Sequence, residues 1–161
     1  MDLGSTGAIV SWASFFANHS AVRTAVVFSH IGGLTAGGGC AIAADRATLL
    51  VSHQDASARA AHLRSLDGIH RVVVTGLVVI VVSGLLLLAS DLDTFLYSKA
   101  FWIKMGLIAL LLVNGAVLRR AEHRARDGAG AAWLTLRTTS IASLVLWLSI
   151  ALAGVTLTNV S

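Results

Sequence analysis

The chain has 161 residues, of which 56% are hydrophobic and 12% are charged, with a formal net charge of +4. Soluble domains carry about 25% charged residues, so this composition excludes an ordinary soluble protein. The single cysteine excludes an intrachain disulfide and a cysteine-based zinc or iron–sulfur site.

The N-terminal segment, residues 8–17 (AIVSWASFFA), is apolar and aromatic but too short to cross a membrane. Trp12, Phe15 and Phe16 predict a short interfacial helix on the outer surface. The first charge is Asp2 and no basic residue precedes the segment, so it does not have the pattern of a secretory signal.

Four later segments are long enough to cross a bilayer. Residues 24–44, 72–90 and 138–161 contain no charged side chain, and residues 100–118 contain only Lys104. A helix needs about 20 residues to cross the hydrocarbon core. We therefore predict an all-α fold, an integral membrane four-helix bundle that forms a single domain over residues 1–161. The predicted crossings are residues 22–44, 69–89, 99–118 and 135–158.

Glycines are concentrated in the first crossing, where residues 32–39 read GGLTAGGG. In lipid, unpaired backbone groups are so costly that the helix is expected to persist. Gly33 and Gly37 form a GxxxG pair, which allows close approach of a neighbouring helix. His30 lies on the same helix face, because the three residues are spaced i, i+3 and i+7.

The connection after the first crossing, residues 46–66, is polar with an apolar stripe at helical spacing. We predict a short helix on the inner membrane surface there, followed by a turn at Asp67 and Gly68. Asp45 is expected to pair with Arg71 or to cap backbone groups, and Asp93 is expected to cap a helix.

Arginines predict the orientation of the bundle. Two loops on one side hold nine of the twelve Lys and Arg residues. Because positive residues stay in the cytoplasm, we expect both termini outside and these loops inside the bacterial inner membrane, touching anionic lipids. This placement argues against nucleic-acid binding. The nine are Arg46, Arg59, Arg64, Arg71, Arg119, Arg120, Arg124, Arg126 and Arg137.

His30 and Lys104 are ionisable groups inside the hydrocarbon region, and an intramembrane ionisable group is a functional hypothesis by default. Both are expected at a similar depth near the outer face. An imidazole above Gly33 and Gly37 suits haem b, because the histidine binds the iron and the missing side chains make room for the ring. The candidates for its second ligand are then Lys104, Met105, water or another chain.

Plainer interpretations of these residues remain open. His30 is equally explained by a hydrogen bond to another helix, the glycines by close packing, and Lys104 by snorkelling towards the surface. His70, at the inner edge of the second crossing, is about 20 Å from His30 and cannot share its iron. His70 is a separate candidate metal ligand near the inner surface.

Two segments resemble known membrane families. Residues 30–46 (HIGGLTAGGGCAIAADR) resemble the first helix of an uncharacterised group of small bacterial membrane proteins. Residues 74–114, with a Thr-Gly or Ser-Gly helix, a short loop and the Phe-x-x-Lys motif of Phe101 to Lys104, are similar to CopD-like copper-resistance domains. The resemblance implies a helical bundle associated with copper or haem in the bacterial inner membrane.

Three functions are consistent with the sequence. The first is a small electron-transfer protein with haem b on His30. The second is a copper-handling protein that uses His30, with His19 as a further candidate ligand. The third is an accessory or structural subunit without a cofactor, packed against other membrane subunits or itself. No nucleophile or acid–base motif is evident, so we expect no independent enzymatic activity.

Overall fold

In the computed structural model, the protein is described over residues 3–160, with side chains from residue 7 to residue 156. Helices and short turns make up this range, without a β-strand, which confirms the predicted all-α class. The helices are α1 Leu3–Asn18, α2 Ser20–Val51, α3 Ala56–Ser90, α4 Leu92–Tyr97, α5 Lys99–Arg126 and α6 Ala132–Val160.

Helices α2, α3, α5 and α6 are long and apolar enough to cross a membrane, and each contains one predicted crossing. Large apolar side chains such as Phe28, Val78 and Leu148 are exposed on the outside of the bundle. In a bilayer this surface meets lipid, so the chain is a multi-pass membrane protein. The 35 residues of α3 span about 52 Å, more than the ~30 Å hydrocarbon core.

Helix α2 changes its pitch at its glycines. Leu34–Gly38 form a π-helical turn, and α-helix continues on both sides. A π-turn inserts an extra residue into the helical repeat without breaking the backbone hydrogen bonds. The glycine-rich segment therefore stays helical, as lipid requires, but the two halves of α2 are offset in register.

Gly33, just before this turn, and Gly38, its last residue, face different neighbours. A Cβ on Gly33 would lie 3.1 Å from the side chains of Val79 and Ile80 of α3. A Cβ on Gly38 would lie 3.1 Å from the indole of Trp147 of α6. The missing side chains thus bring α2 against both helices at once.

The four long helices form an incomplete ring. Helix α2 packs against α3 and α6, and α6 packs along α5, whereas α3 and α5 make only slight contact. One core cluster lies at the end that carries the arginine-rich turns, here called the arginine-rich end, and the other lies mid-bundle. The buried residues of the first are Leu63, Leu66, Ala121, Trp133 and Leu136, and those of the second are Leu111, Trp147 and Ile150.

The predicted turn at Asp67 and Gly68 is wrong, because α3 is continuous through both residues. Leu63 and Leu66 are buried against the arginine-rich end, which fixes this segment in the bundle. Arg126 of α5 donates to Leu63 O and to the Asp67 carboxylate. The predicted surface helix is therefore the beginning of α3, and the chain reverses at residues 52–55 instead.

Helix α1 is attached to the far end of the bundle, away from the arginines. It packs on α2 and α3, and Trp12 Nε1 donates to Leu86 O at 2.9 Å. Phe16 is buried in the same contact region. A helix exists where the sequence indicated one, and its place at the membrane surface stays a prediction.

Candidate functional site

His30 lies in the half of the bundle away from the arginine-rich end, where it bridges α2 and α3. Its Nδ1 is 3.0 Å from the hydroxyl oxygen of Ser83, which is only 3% exposed. A Cβ on Gly84 would lie 3.3 Å from His30 Cε1, so the glycine provides room for the imidazole. The sequence analysis did not single out Ser83 and Gly84 as partners of His30, although Ser-Gly belongs to the CopD-like pattern.

The hydrogen bonds of Ser83 fix the protonation of the His30 ring. The hydroxyl donates its one proton to Val79 O at 2.5 Å, and a carbonyl oxygen can only accept. Ser83 Oγ is therefore the acceptor in its bond with His30, and Nδ1 is the donor. In a neutral imidazole this leaves a lone pair on Nε2, the form that binds a metal.

Lys104 of α5 lies on the inside of the bundle near this imidazole. It is close enough for its charge to act on His30, and its Nζ is 3.6 Å from where a Cβ on Gly154 would lie. The structure therefore brings together the two ionisable residues that the sequence placed at one depth. We call His30, Ser83 and Lys104 the His30 site.

Gly33 and Gly37 do not offer an empty surface beside His30. A Cβ on Gly37 would lie 3.1 Å from the Cα of Gly76, and Gly33 faces the same helix. Helix α3 fills the space that a porphyrin ring would need on this face. A flat cofactor on His30 would have to lie on another side of the imidazole.

An apolar groove between α2 and α3 adjoins the His30 site. Its volume is about 350 Å³, and it is open towards the outside of the bundle. A groove of this size is in the range of small-molecule sites. Its lining comprises Ala25, Val26, Ser29, Val78, Val79, Val82, Ser83 and Leu86.

His70 belongs to a second polar group at the arginine-rich end. Its Nδ1 is 3.1 Å from Leu66 O, and its Nε2 is 3.5 Å from Glu122 Oε2. Both ring nitrogens of His70 therefore face protein partners. Glu122 was not expected here, because it stands among the arginines at the end of α5, where the sequence pattern is that of an ordinary solvated acid.

Asp45 is also part of this group. It is 3% exposed, and Ser140 and Ser143 of α6 lie beside its carboxyl group, with Glu122 and His70 close enough to act on it electrostatically. The expectation that Asp45 pairs with Arg71 is wrong, because its helix face turns towards α6. We call Asp45, His70 and Glu122 the carboxylate cluster.

A cleft between α3 and α5 leads from His70 and Glu122 of the carboxylate cluster to the outside of the bundle at the arginine-rich end. Its volume is about 150 Å³. It lies where these two helices make little contact. Its lining is Asp67, His70, Arg119, Glu122, His123 and Arg126.

Two further histidines have contacts of their own. His62 Nε2 is 2.8 Å from Thr48 Oγ1, and His19 Nδ1 is 2.8 Å from Phe15 O. Within the described part of the chain, no three His, Cys, Asp or Glu side chains are arranged to hold one metal ion. A metal at His30 would therefore need ligands beyond these residue types or from another molecule.

Comparisons with known proteins give a family but not an activity. The model of a family described as a family of unknown function (DUF6644) matches residues 11–159. No curated protein and no solved structure matches the chain.

Proposed function

The chain belongs to this family of unknown function, and from its own residues we propose that it is a small membrane protein that binds a redox metal at His30. The supporting observation is the hydrogen bond from Nδ1 to Ser83, which leaves the Nε2 lone pair for a ligand. Histidine ligands usually donate their other ring N–H to a fixed acceptor in this way.

Copper fits the His30 site better than haem b does. A copper ion needs nitrogen ligands but no flat slot, and imidazole is a suitable ligand for it. A neutral amine on Lys104 would supply a second nitrogen. Haem b would need its ring on the groove side, since α3 covers Gly33 and Gly37. The resemblance of Phe101 to Lys104 to CopD-like domains adds support for copper.

The direct test is the metal content and visible spectrum of the protein purified in detergent. We expect bound copper, or for haem a reduced-minus-oxidised band, and its loss in His30→Ala. His53→Ala is a matched control, because this exposed histidine lies in the turn at the opposite end. Retention of the full signal in His30→Ala would contradict the proposal.

Lys104 can be tested separately as the second ligand. Lys104→Arg keeps a positive charge, but guanidinium stays protonated and cannot donate a lone pair. We expect both Lys104→Arg and Lys104→Ala to weaken copper binding. If Lys104→Arg bound copper as well as the native protein, Lys104 would be a neighbour and not a ligand.

An accessory subunit without a cofactor is the second candidate. The observation that favours it is the contact of Gly33 and Gly37 with Gly76, which accounts for the glycines by packing alone. A colourless, metal-free native protein that co-purifies with other membrane proteins would support this candidate over metal binding.

We also propose a location in the bacterial inner membrane, with the arginine-rich end in the cytoplasm and both termini outside. The distribution of arginines supports this orientation. In a Cys40→Ala background, His53→Cys should resist a membrane-impermeant maleimide in intact cells, and Asp93→Cys should react. The reverse labelling pattern would show the opposite orientation, with the arginine-rich end outside.

A further inference from the structure

Asp45 has a carboxyl group inside the bundle that makes no ion pair with the described residues. The residue is 3% exposed, and neither of the ion pairs found in the described part of the chain includes it. An uncompensated charge in such surroundings costs several kcal/mol. The carboxyl group therefore favours a bound cation, and the smallest one is a proton.

The side chains beside Asp45 are neutral. Ser143 and Ser140 of α6 flank the carboxyl group. Ser140 is fully buried, and its hydroxyl oxygen, although near the carboxyl, lies outside regular hydrogen-bond geometry and has no other partner among the described residues. Buried polar groups are normally paired, so this hydroxyl is available for hydrogen bonding when the carboxyl changes its protonation.

The neighbouring pair, His70 and Glu122, holds a proton that can move. Leu66 O can only accept, so His70 Nδ1 carries a hydrogen. Contact between Nε2 and Glu122 Oε2 then needs one proton on either atom, giving imidazolium with carboxylate or imidazole with carboxylic acid. Both forms are compatible with this 3.5 Å contact, so the pair is placed to pass a proton on.

Water can reach this pair from one side. His70 is 27% exposed at its side chain, whereas Glu122 is 8% exposed. Both line the cleft between α3 and α5. Exposure thus falls from His70 to Glu122 to Asp45, which gives the order of a path from the cleft into the bundle.

We propose that the carboxylate cluster is a proton-binding site in which Asp45 exchanges a proton with the cleft by way of Glu122 and His70. The proton that reaches Asp45 leaves Glu122. Water in the cleft then protonates Nε2 of the neutral His70, and the resulting imidazolium returns a proton to Glu122. The charged and titratable groups that face this path are Asp67, Arg119, His123 and Arg126, from α3 and α5.

Infrared spectroscopy of the full chain in lipid vesicles tests the site. At mildly acidic pH we expect the C=O stretching band of a protonated carboxylic acid, and its shift in D₂O as the proton exchanges. Asp45→Asn should remove the Asp45 component of the band, whereas Asp93→Asn, in an exposed position, should leave the band unchanged. Absence of the band in the native protein, or an unchanged band in Asp45→Asn, would overturn the proposal.

The path is tested by the rate at which the carboxylic acid band shifts in D₂O. Replacing the relay residue in His70→Gln should slow the exchange at Asp45 by at least about tenfold, which corresponds to about 1.4 kcal/mol of barrier. His62→Gln is the matched control, because His62 is bonded to Thr48 and does not line the cleft. Equal rates in native protein and His70→Gln would overturn the path.

A second measurement needs no variant. Dicyclohexylcarbodiimide reacts with protonated carboxyl groups in apolar surroundings, and mass spectrometry locates the adduct. We expect labelling at Asp45 and not at Asp67, which is paired with Arg126. Lack of labelling at Asp45 would overturn the proposal. Protection of Asp45 from labelling by Na⁺ would also overturn it, because the site would then bind a metal cation and not a proton.

Discussion

Gly37 and Gly76 bring the backbones of α2 and α3 into direct contact. A Cβ on Gly76 would lie 2.7 Å from the Cα of Gly37 and 2.9 Å from its nitrogen, distances that real side chains do not reach. Because the obstructing atoms are backbone, a side chain here can be accommodated only by moving one helix. This contact fixes the spacing of the two helices that hold His30 and Ser83.

Gly76→Ala should therefore destabilise the bundle by about 1–3 kcal/mol, the usual cost of overpacking. Unfolding in a series of detergent mixtures measures the change. Gly115→Ala is the matched control, because nothing lies within 4 Å of its Cβ position on α5. Equal stability of Gly76→Ala and Gly115→Ala would show that the α2–α3 contact adapts to a methyl group.

Ser83→Ala should weaken the proposed metal binding at His30 about 10–100-fold, as the loss of an outer hydrogen-bond partner does elsewhere. The change removes the acceptor that holds Nδ1–H and leaves the metal-binding nitrogen in place. Copper titration of the purified protein is the measurement. Ser29→Ala, in the same groove, is the control and should bind copper like the native chain.

Arg59 connects the beginning of α3 to α6. Its guanidinium carbon lies 5.2 Å from the Trp133 ring centroid, and its Nη2 donates to Ser52 O at 2.5 Å. Arg59→Ala should lower stability by about 1–2 kcal/mol, from the lost cation–π contact and hydrogen bond. Thermal unfolding in detergent measures this, with the exposed Arg64→Ala as the control. A similar melting temperature for both variants would contradict the role of Arg59.

Asp55 caps α3 in the turn at residues 52–55. Its carboxylate accepts from the Ala58 backbone N–H and the Ser57 hydroxyl, and these bonds hold the pKa of Asp55 below its usual value. Its contribution is complete above the ordinary aspartate pKa of about 3.9 and is lost as the pH falls through the lowered folded-state pKa.

Hydrogen exchange of the amides at the start of α3 measures this cap. We expect Asp55→Ala to lose protection there at neutral pH, and native protein to lose it only in acid. Asp55→Asn keeps an acceptor at the cap without a titrating group, so its protection should not depend on acid in this range. If the protection in Asp55→Asn were lost in acid as it is in the native chain, a group other than Asp55 would be responsible.

The four crossings were predictable because they depend on local composition alone. About 20 residues without charge favour a lipid-spanning helix whatever their neighbours are. The close α2–α3 approach was also foreseeable from Gly33 and Gly37, since a GxxxG face has few other uses. The identity of the partner, Gly76, was not, because one glycine in an apolar helix has no distinguishing pattern.

The polar contacts between helices could not be predicted from the sequence, because they depend on how each helix is rotated about its own axis. Asp45 was expected beside Arg71, and it faces Ser140 and Ser143 instead. The turn expected at Asp67 follows local propensity, which favours a break at Asp-Gly in water. Burial of Leu66 and the contact with Arg126 outweigh that preference.

The π-turn at Leu34–Gly38 also sets the phase between the two halves of α2. Deleting one residue there would restore an ordinary helix and swing everything beyond it by about 100° around the axis. Asp45 would then point away from α6 while His30 kept its neighbours. The rotational offset at this turn thus allows a single helix to contribute side chains to two polar sites that face in different directions.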